Sequence, residues 1–307
     1  MRATTFLVLT IAFQTAPAVA EEAQAPSLSE KLRQYIGCYN KLSGSARRSK
    51  ARYLSWTSTV GPTGKERLIH GTYTLYDPSS CDAEIAAANQ SEPHDAVLEK
   101  AGAEFAKSLV ALEPLLKEAN DYYEQGNYKD DKMTKGKALH PKLMAAWAAF
   151  ETANDDLSGA LDVLNDKVQV ERLAEVEKTE GKKAHYYTLV AMMRAKVLFR
   201  VEGDAKTPEL AKIVAALNAF EASVKELEPF ASGEDKHIGS LFMSQTKGFL
   251  TTAKELMRRL RDKTPYSSGD KMMLQNAAAG WMVEGSPLRL VHDYNALVES
   301  FNRGPGT

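Results

Sequence analysis

The chain has 307 residues, a formal net charge of -1 at pH 7, 44% hydrophobic residues and 26% charged residues. This near balance of charge argues against a nucleic-acid-binding protein, because such a protein would carry a strongly basic domain or face. The composition is that of a globular protein with a substantial core, and no Pro/Gly/Ser-rich linker divides the chain.

The first twenty residues have the pattern of a secretory signal peptide. Arg2 supplies the positive start, Phe6 to Phe13 supply an apolar stretch, and Ala18-Val19-Ala20 form a small-residue cleavage site. The apolar stretch is much shorter than the roughly 20 residues that a membrane span needs. We therefore expect cleavage near Ala20, a flexible segment at residues 21–28, and a periplasmic or secreted protein without a membrane span.

Cys38 and Cys81 are the two cysteines of the chain. An exported protein meets oxidising conditions, so the sequence predicts a Cys38–Cys81 disulfide. In the loop-entropy description, a crosslink over this separation stabilises the fold by about 4 kcal/mol. The alternatives are two unpaired buried thiols or a metal site, and the metal site is disfavoured because no CxxC or nearby Cys/His spacing is present.

Apolar residues at helical spacing predict seven helices. The first begins at Ser29 as the N-cap residue and runs to Trp56, with a break near Gly44. It is followed by an irregular connector, because the β-type residues from His70 to Tyr76 are too isolated to form a sheet.

The other six helices are expected at Val97–Tyr123, Pro141–Glu177, Lys183–Val201, Leu210–Pro229 with Thr207-Pro208 at its start, Ile238–Leu260, and from Ser286-Pro287 to Phe301. Val97 and Leu241 are assigned to apolar faces. Proline removes a helix hydrogen bond, so a kink is expected at Pro114. The fold class predicted is therefore all-α, an elongated antiparallel bundle of long, proline-kinked helices. We expect one domain over residues 29–303, followed by a tail at 304–307.

Common catalytic motifs are absent from the sequence. There is no GxSxG elbow, HExxH motif, P-loop or GxGxxG motif. The six histidines lack metal-ligand spacing, and His185 beside Tyr186-Tyr187 is expected at the edge of the core. These absences favour a protein without a cofactor or a catalytic metal.

One stretch, Tyr122 to Phe150, concentrates polar and titratable residues between two helical patterns. The candidate ligand-binding residues in it are Tyr122, Tyr123, Tyr128, Asp130, Asp131, Lys137 and His140, with Lys135 nearby. The carboxylates and the histidine could hold a cation, or they could form a sugar- or peptide-binding rim with the tyrosines. In the structural alternative, one of the two aspartates caps a helix, Asp131 pairs with Lys135, and His140-Pro141 marks a bend.

Several segments resemble the DUF3829, or YiiG-like, family of bacterial envelope proteins. The resemblance is carried by Cys38-Tyr39-Asn40-Lys41-Leu42, Tyr122-Tyr123, Tyr128-Lys129-Asp130-Asp131, Gly136-Lys137, Leu139-His140-Pro141, Phe150, Gly285-Ser286, Tyr294-Asn295-Ala296-Leu297-Val298 and Asn302. It implies an exported helical protein and supplies no catalytic residues to carry over. Some relatives resemble lipoproteins, whereas this chain lacks a cysteine at the cleavage site.

Two functions remain open from the sequence. The first is a non-enzymatic binding or scaffold role in the cell envelope, with an envelope protein, a peptide or a glycan as partner. The second is a hydrolase or metal-dependent enzyme that uses Asp130, Asp131 and His140. Helical periodicity throughout and the missing catalytic motifs favour the first.

Overall fold

The computed structural model describes residues 27–203, 209–232, 238–276 and 279–305. These residues contain no β-strand, only one isolated bridge between Ser58 and Gly61. Their nine α-helices are α1 Leu28–Leu54, α2 Ser79–Asn89, α3 Ala96–Glu124, α4 Thr134–Glu180, α5 Ala184–Gly203, α6 Leu210–Ala231, α7 Ser240–Asp262, α8 Ser268–Gln275 and α9 Pro287–Arg303. The prediction of an all-α fold is confirmed. The expected signal peptide at residues 1–20 and the Thr207-Pro208 helix start lie outside the described residues.

The described residues form two compact units, and the division falls within α4. The N-terminal unit extends to Val168 and the C-terminal unit begins at Gln169. None of the helices in the described ranges is long and apolar enough to cross a bilayer.

In the N-terminal unit, α2 packs against both α1 and α3. The fully buried large side chains of this unit include Tyr35, Leu42, Tyr53, Ile85, Phe105, Trp147 and Phe150. The predicted disulfide is confirmed, because Cys38 of α1 is bonded to Cys81 of α2 with a Cα–Cα distance of 5.3 Å. It ties the short α2 to the long α1 inside this core.

The C-terminal unit is a helical bundle. Helix α5 packs against α6 and α9, and α7 also packs against both of these helices. Aromatic contacts fill its centre, where the Phe199 ring stacks on the Tyr294 ring at 4.2 Å and the Phe220 ring meets the edge of Phe249 at 5.4 Å. The helical spacing of apolar residues in this half of the sequence thus corresponds to one shared core.

Several predicted helix boundaries were wrong. Helix α1 begins after Ser27, whose backbone N–H donates to Glu30 Oε2 at 2.8 Å, and it continues through Gly44. Helix α4 begins at Thr134, so Pro141 lies inside it rather than at its start. Burial of Leu139 and Leu143 on either side of this proline offsets the hydrogen bond that the proline removes.

Two short helices were not predicted, and two inward assignments were wrong. Helix α2 lies in the region expected to follow an irregular connector, and α8 follows the sixth predicted helix. Val97 is 70% exposed and Leu241 is 43% exposed, although both were assigned to apolar faces. Each lies beside a fully buried neighbour, Leu98 or Phe242, which takes the inward position on its helix.

Candidate functional site

The candidate stretch connects α3 to α4 in a sharp reversal of the chain. We call residues 122–140 the junction. A 3-10 turn at Asn127–Lys129 follows α3, and the next residues reverse the chain with positive φ angles of 52° at Lys132 and 68° at Met133. Residues other than glycine rarely adopt this backbone conformation. Met133 is nonetheless fully buried, and its sulfur lies 3.9 Å from the Tyr122 hydroxyl oxygen. Packing of Met133 therefore holds the reversal in place.

Asp131 caps the start of α4. Its Oδ2 accepts the Lys135 backbone N–H at 2.8 Å, and its Oδ1 accepts the Tyr122 hydroxyl at 2.7 Å. Desolvation acts to raise the pKa of Asp131, but these hydrogen bonds outweigh it and lower the pKa below its usual value. The Lys135 ammonium pairs with Glu118 at 2.9 Å rather than with Asp131. The carboxylate of Asp131 thus serves helix initiation.

His140 is buried inside α4, which continues through Pro141. Its Nε2 donates to the Thr59 carbonyl oxygen at 3.1 Å, because that oxygen can only accept. Its Nδ1 lies 3.0 Å from the Tyr53 hydroxyl and accepts from it when the imidazole is neutral. Gly61, with φ +106°, packs so closely that an added Cβ would lie 3.0 Å from the imidazole Cδ2. Both ring nitrogens are therefore occupied.

Tyr123 is packed into an aromatic cluster rather than exposed to a ligand. Its ring meets the edge of Trp56 at 5.0 Å and the ring of Tyr122 at 4.9 Å. Its hydroxyl is buried and forms no hydrogen bond with the described residues. Burial, followed by the nearby Tyr53 hydroxyl, raises the pKa of Tyr123 far above its usual value. This tyrosine therefore stays neutral and acts as a core residue.

The remaining candidates face solvent. Asp130 and Lys137 are exposed, Tyr128 is half-buried, and the Lys129 ammonium lies 5.8 Å from the centre of the Tyr128 ring. The structure thus brings Tyr122 and Asp131 together. Tyr122, Tyr123 and His140 are buried, whereas Tyr128, Asp130 and Lys137 lie at the surface. Among the described residues, no group of three or more His, Cys, Asp and Glu side chains is arranged to hold a metal ion.

Sequence reasoning missed the residues that fix these candidates in place. Tyr53 was recognised only as an apolar position of the first helix, and Thr59 and Glu118 were not singled out. Tyr53 and Thr59 lie 87 and 81 positions from His140 along the chain. No local pattern could have paired residues so far apart.

Replacing Asp131 with alanine should lower the midpoint of thermal unfolding by about 2–4 °C, because α4 loses its cap. Asp130 is the matched control, since it is the adjacent aspartate but is exposed. Its replacement with alanine should leave the midpoint nearly unchanged. Differential scanning calorimetry of both variants measures the effect, and equal midpoints would contradict the capping role.

Replacing Gly136 with alanine should destabilise the protein by about 1–3 kcal/mol. The added Cβ would lie 2.6 Å from Met133 Sδ and 2.9 Å from the Tyr123 hydroxyl oxygen. Gly159 lies in the same helix with nothing within 4 Å of an added Cβ. Its replacement with alanine should be neutral or stabilising, because alanine favours the helix. Urea unfolding of the two variants would contradict the packing account if both changed stability alike.

Comparison with known proteins identifies the family. A family described as "Protein of unknown function (DUF3829)" matches residues 26–303. The chain is 35% identical over 292 residues to the "Uncharacterized protein YiiG" of Escherichia coli (strain K12). This alignment covers 93% of this chain and 81% of that protein. No solved structure matches significantly. The match over nearly the whole chain, together with the helical fold and the junction motif, shows that this protein belongs to the DUF3829 family.

Proposed function

We propose that this protein is exported to the cell envelope and acts there as a non-enzymatic binding or scaffold protein. The observation that supports the proposal is that the titratable side chains of the junction make structural contacts within the protein. Asp131 caps α4, and both ring nitrogens of His140 are hydrogen-bonded within the protein. The side chains that a hydrolase would need are thus committed to structure, while a polar surface remains for a partner.

Two features support export. The first twenty residues have the charge, apolar stretch and small-residue ending of a secretory signal. The Cys38–Cys81 disulfide is a bond that persists in oxidising compartments and is rare in the cytosol. A periplasmic or secreted location, after cleavage near Ala20, agrees with both.

The proposed partner surface is the outward side of the junction. We define this junction rim as Tyr128, Lys129, Asp130, Lys132 and Lys137, which are exposed or half-buried. The rim carries one aromatic ring, three lysines and a single aspartate, and the Lys129 ammonium lies 5.8 Å from the centre of the ring. A ring beside mobile charged groups suits an acidic segment of an envelope protein, a peptide or an acidic glycan.

The alternative of a hydrolase or metal-dependent enzyme built on Asp130, Asp131 and His140 is a separate prediction. Asp130 is exposed, whereas His140 is buried against Tyr53. Elemental analysis of the purified protein tests the metal form of this alternative. One equivalent of a bound transition metal or Ca²⁺, lost on replacing Asp130 and Asp131 with asparagine, would support it over the scaffold role.

The test of the proposed function uses the full chain expressed in a bacterium that encodes a family member. Periplasmic fractionation and intact-mass measurement should find a mature chain beginning at Glu21. Crosslinking in cells, followed by mass spectrometry, should then recover a partner through the rim. A chain that keeps residues 1–20 and stays in the cytosol would refute export.

Charge reversal of the rim should weaken partner capture. Replacing both Lys129 and Lys137 with glutamate should lower the recovered partner at least about tenfold, because close like charges repel across an interface. The control is Lys212→Glu, since Lys212 is an exposed lysine on α6. Equal recovery from the two variants would show that the rim is not the binding surface.

A further inference from the structure

A cavity of about 370 Å³ lies in the C-terminal unit, at the start of α5. Leu173 of α4 and Val190 and Met193 of α5 form its apolar walls. Two tyrosine rings complete the enclosure, with Tyr186 and Tyr187 edge-to-face at 5.4 Å and an angle of 90°. Small-molecule sites in proteins have this size. We call this space the Tyr186 cavity.

Three charged side chains line the same cavity, namely Lys182, Arg194 and Glu226. Arg194 Nη1 lies 3.4 Å from Glu226 Oε2 and 3.2 Å from the Ala219 carbonyl oxygen. The Lys182 ammonium lies 3.2 Å from Glu177 Oε1 and 5.4 Å from the centre of the Tyr186 ring. Each cation is thus paired with a carboxylate, and of the two carboxylates only Glu226 lines the cavity.

The lining residues also carry hydrogen-bonding groups that have no partner. Within the described residues, Nε and Nη2 of Arg194 have no partner, and neither do the hydroxyls of Tyr186 and Tyr187. Glu226 offers one carboxylate oxygen that Arg194 does not contact. Of these groups only the guanidinium is purely a donor, and its unused Nε–Nη2 edge matches a carboxylate in a two-bond arrangement.

Other ligand classes fit the lining less well. A cationic ligand would meet the ammonium and the guanidinium of the lining, and Lys182 already lies over the Tyr186 ring. A neutral sugar brings no negative charge to pair with the guanidinium edge of Arg194. The apolar walls require a ligand body without charge, so a simple inorganic anion would leave them unused.

From these contacts we infer that the Tyr186 cavity binds a small organic acid, with its carboxylate on Arg194 and Lys182 and its apolar body against Val190, Met193 and the tyrosine rings. This inference goes beyond the envelope role proposed above and uses none of the junction residues. Binding at the cavity and partner capture at the junction rim can therefore fail separately.

Isothermal titration of the full mature chain with sodium octanoate tests this inference, with 1-octanol and octylamine as matched probes. Octanoate should bind at least tenfold more tightly than either, because only the carboxylate offers the guanidinium a negative charge and two parallel hydrogen bonds. A parallel titration with 3-phenylpropionate distinguishes an aromatic body from an aliphatic one. Equal binding of octanoate and 1-octanol would overturn the inference.

Two variants locate the binding. Arg194→Gln and Lys182→Gln should each lower octanoate affinity about tenfold, whereas Lys212→Gln, a control on the exposed surface of α6, should leave it unchanged. Lys182 is exposed, so its variant keeps the fold even if the loss of Arg194 disturbs α6. Octanoate affinity that is unaffected by Lys182→Gln would refute the assigned site.

Discussion

Replacing Glu202 with glutamine is expected to raise the free energy of unfolding at pH 7 by about 3 kcal/mol. Glu202 lies near the end of α5, is 4% exposed, and neither carboxylate oxygen has a hydrogen-bond partner among the described residues. Burial raises the pKa of this carboxyl from 4.5 to about 8, and the nearby Met257 backbone, which does not make a hydrogen bond of standard geometry with it, offsets only part of that effect. The folded protein therefore holds a neutral glutamic acid near neutral pH.

The pH dependence follows from this difference between the two states. Below pH 4.5 the carboxyl is protonated in both the folded and the unfolded chain, so it imposes no cost. Between pH 4.5 and 8 the unfolded chain is ionised while the folded chain stays neutral. Folding then takes up a proton, and stability falls as the pH rises through this window. Above pH 8 the penalty is constant.

Urea unfolding at pH 5 and pH 8 measures the effect. The wild type should lose about 3 kcal/mol more than Glu202→Gln between these two pH values. This comparison across pH cancels the packing change that glutamine itself introduces. Glu84→Gln is the matched control, because Glu84 is an exposed glutamate on α2. Parallel stability curves for the wild type and Glu202→Gln would show that Glu202 is ionised or paired in the folded protein.

Removing the disulfide should cost about 4 kcal/mol of stability. Cys38 and Cys81 are separated by 43 residues in sequence and both are 1% exposed. Without the bond, the unfolded chain regains the loop entropy, and α2 keeps only its packing on α1 and α3. Replacing both cysteines with alanine avoids leaving a buried polar group and should therefore report the crosslink itself.

The matched comparison is reductant. Dithiothreitol should lower the urea midpoint of the wild type to near that of the double alanine variant, and it should leave the variant unchanged. Intact-mass measurement should show a gain of two hydrogens on reduction of the wild type. A double variant as stable as the oxidised wild type would contradict the proposed stabilisation.

The helices of the C-terminal unit show how far local pattern reaches. In α6, seven apolar residues at helical spacing predicted the inward face, and five of them, Ile213, Leu217, Phe220, Val224 and Leu227, are buried, whereas Leu210 and Val214 are half-buried. This prediction succeeded because residues on one helix face recur within a few positions, so a short stretch of sequence shows which face is apolar. Helix α2 was not predicted, because it has few buried residues and therefore no long apolar pattern. Its disulfide and its packing on neighbouring helices stabilise it instead.

The candidate site divides in the same way. The density of polar residues from Tyr122 to His140 pointed correctly to a junction between two helices, and the capping alternative for Asp131 matches the contacts seen. Which residues face inward was not readable from the sequence. It depends on Tyr53, Thr59 and Gly61, which reach His140 from a distant part of the chain.

The sequence by itself determined the all-α fold class, most of the helices, the disulfide and the family, because these depend on spacing, composition and residue identity. Only the tertiary structure decided that His140 is a buried hydrogen-bonded residue, that Glu202 is an unpaired buried acid, and that Tyr186 lines a cavity. Burial and hydrogen-bond partners are properties of what neighbours a side chain in space. Residues far apart in the chain supply those neighbours, so no local pattern encodes them.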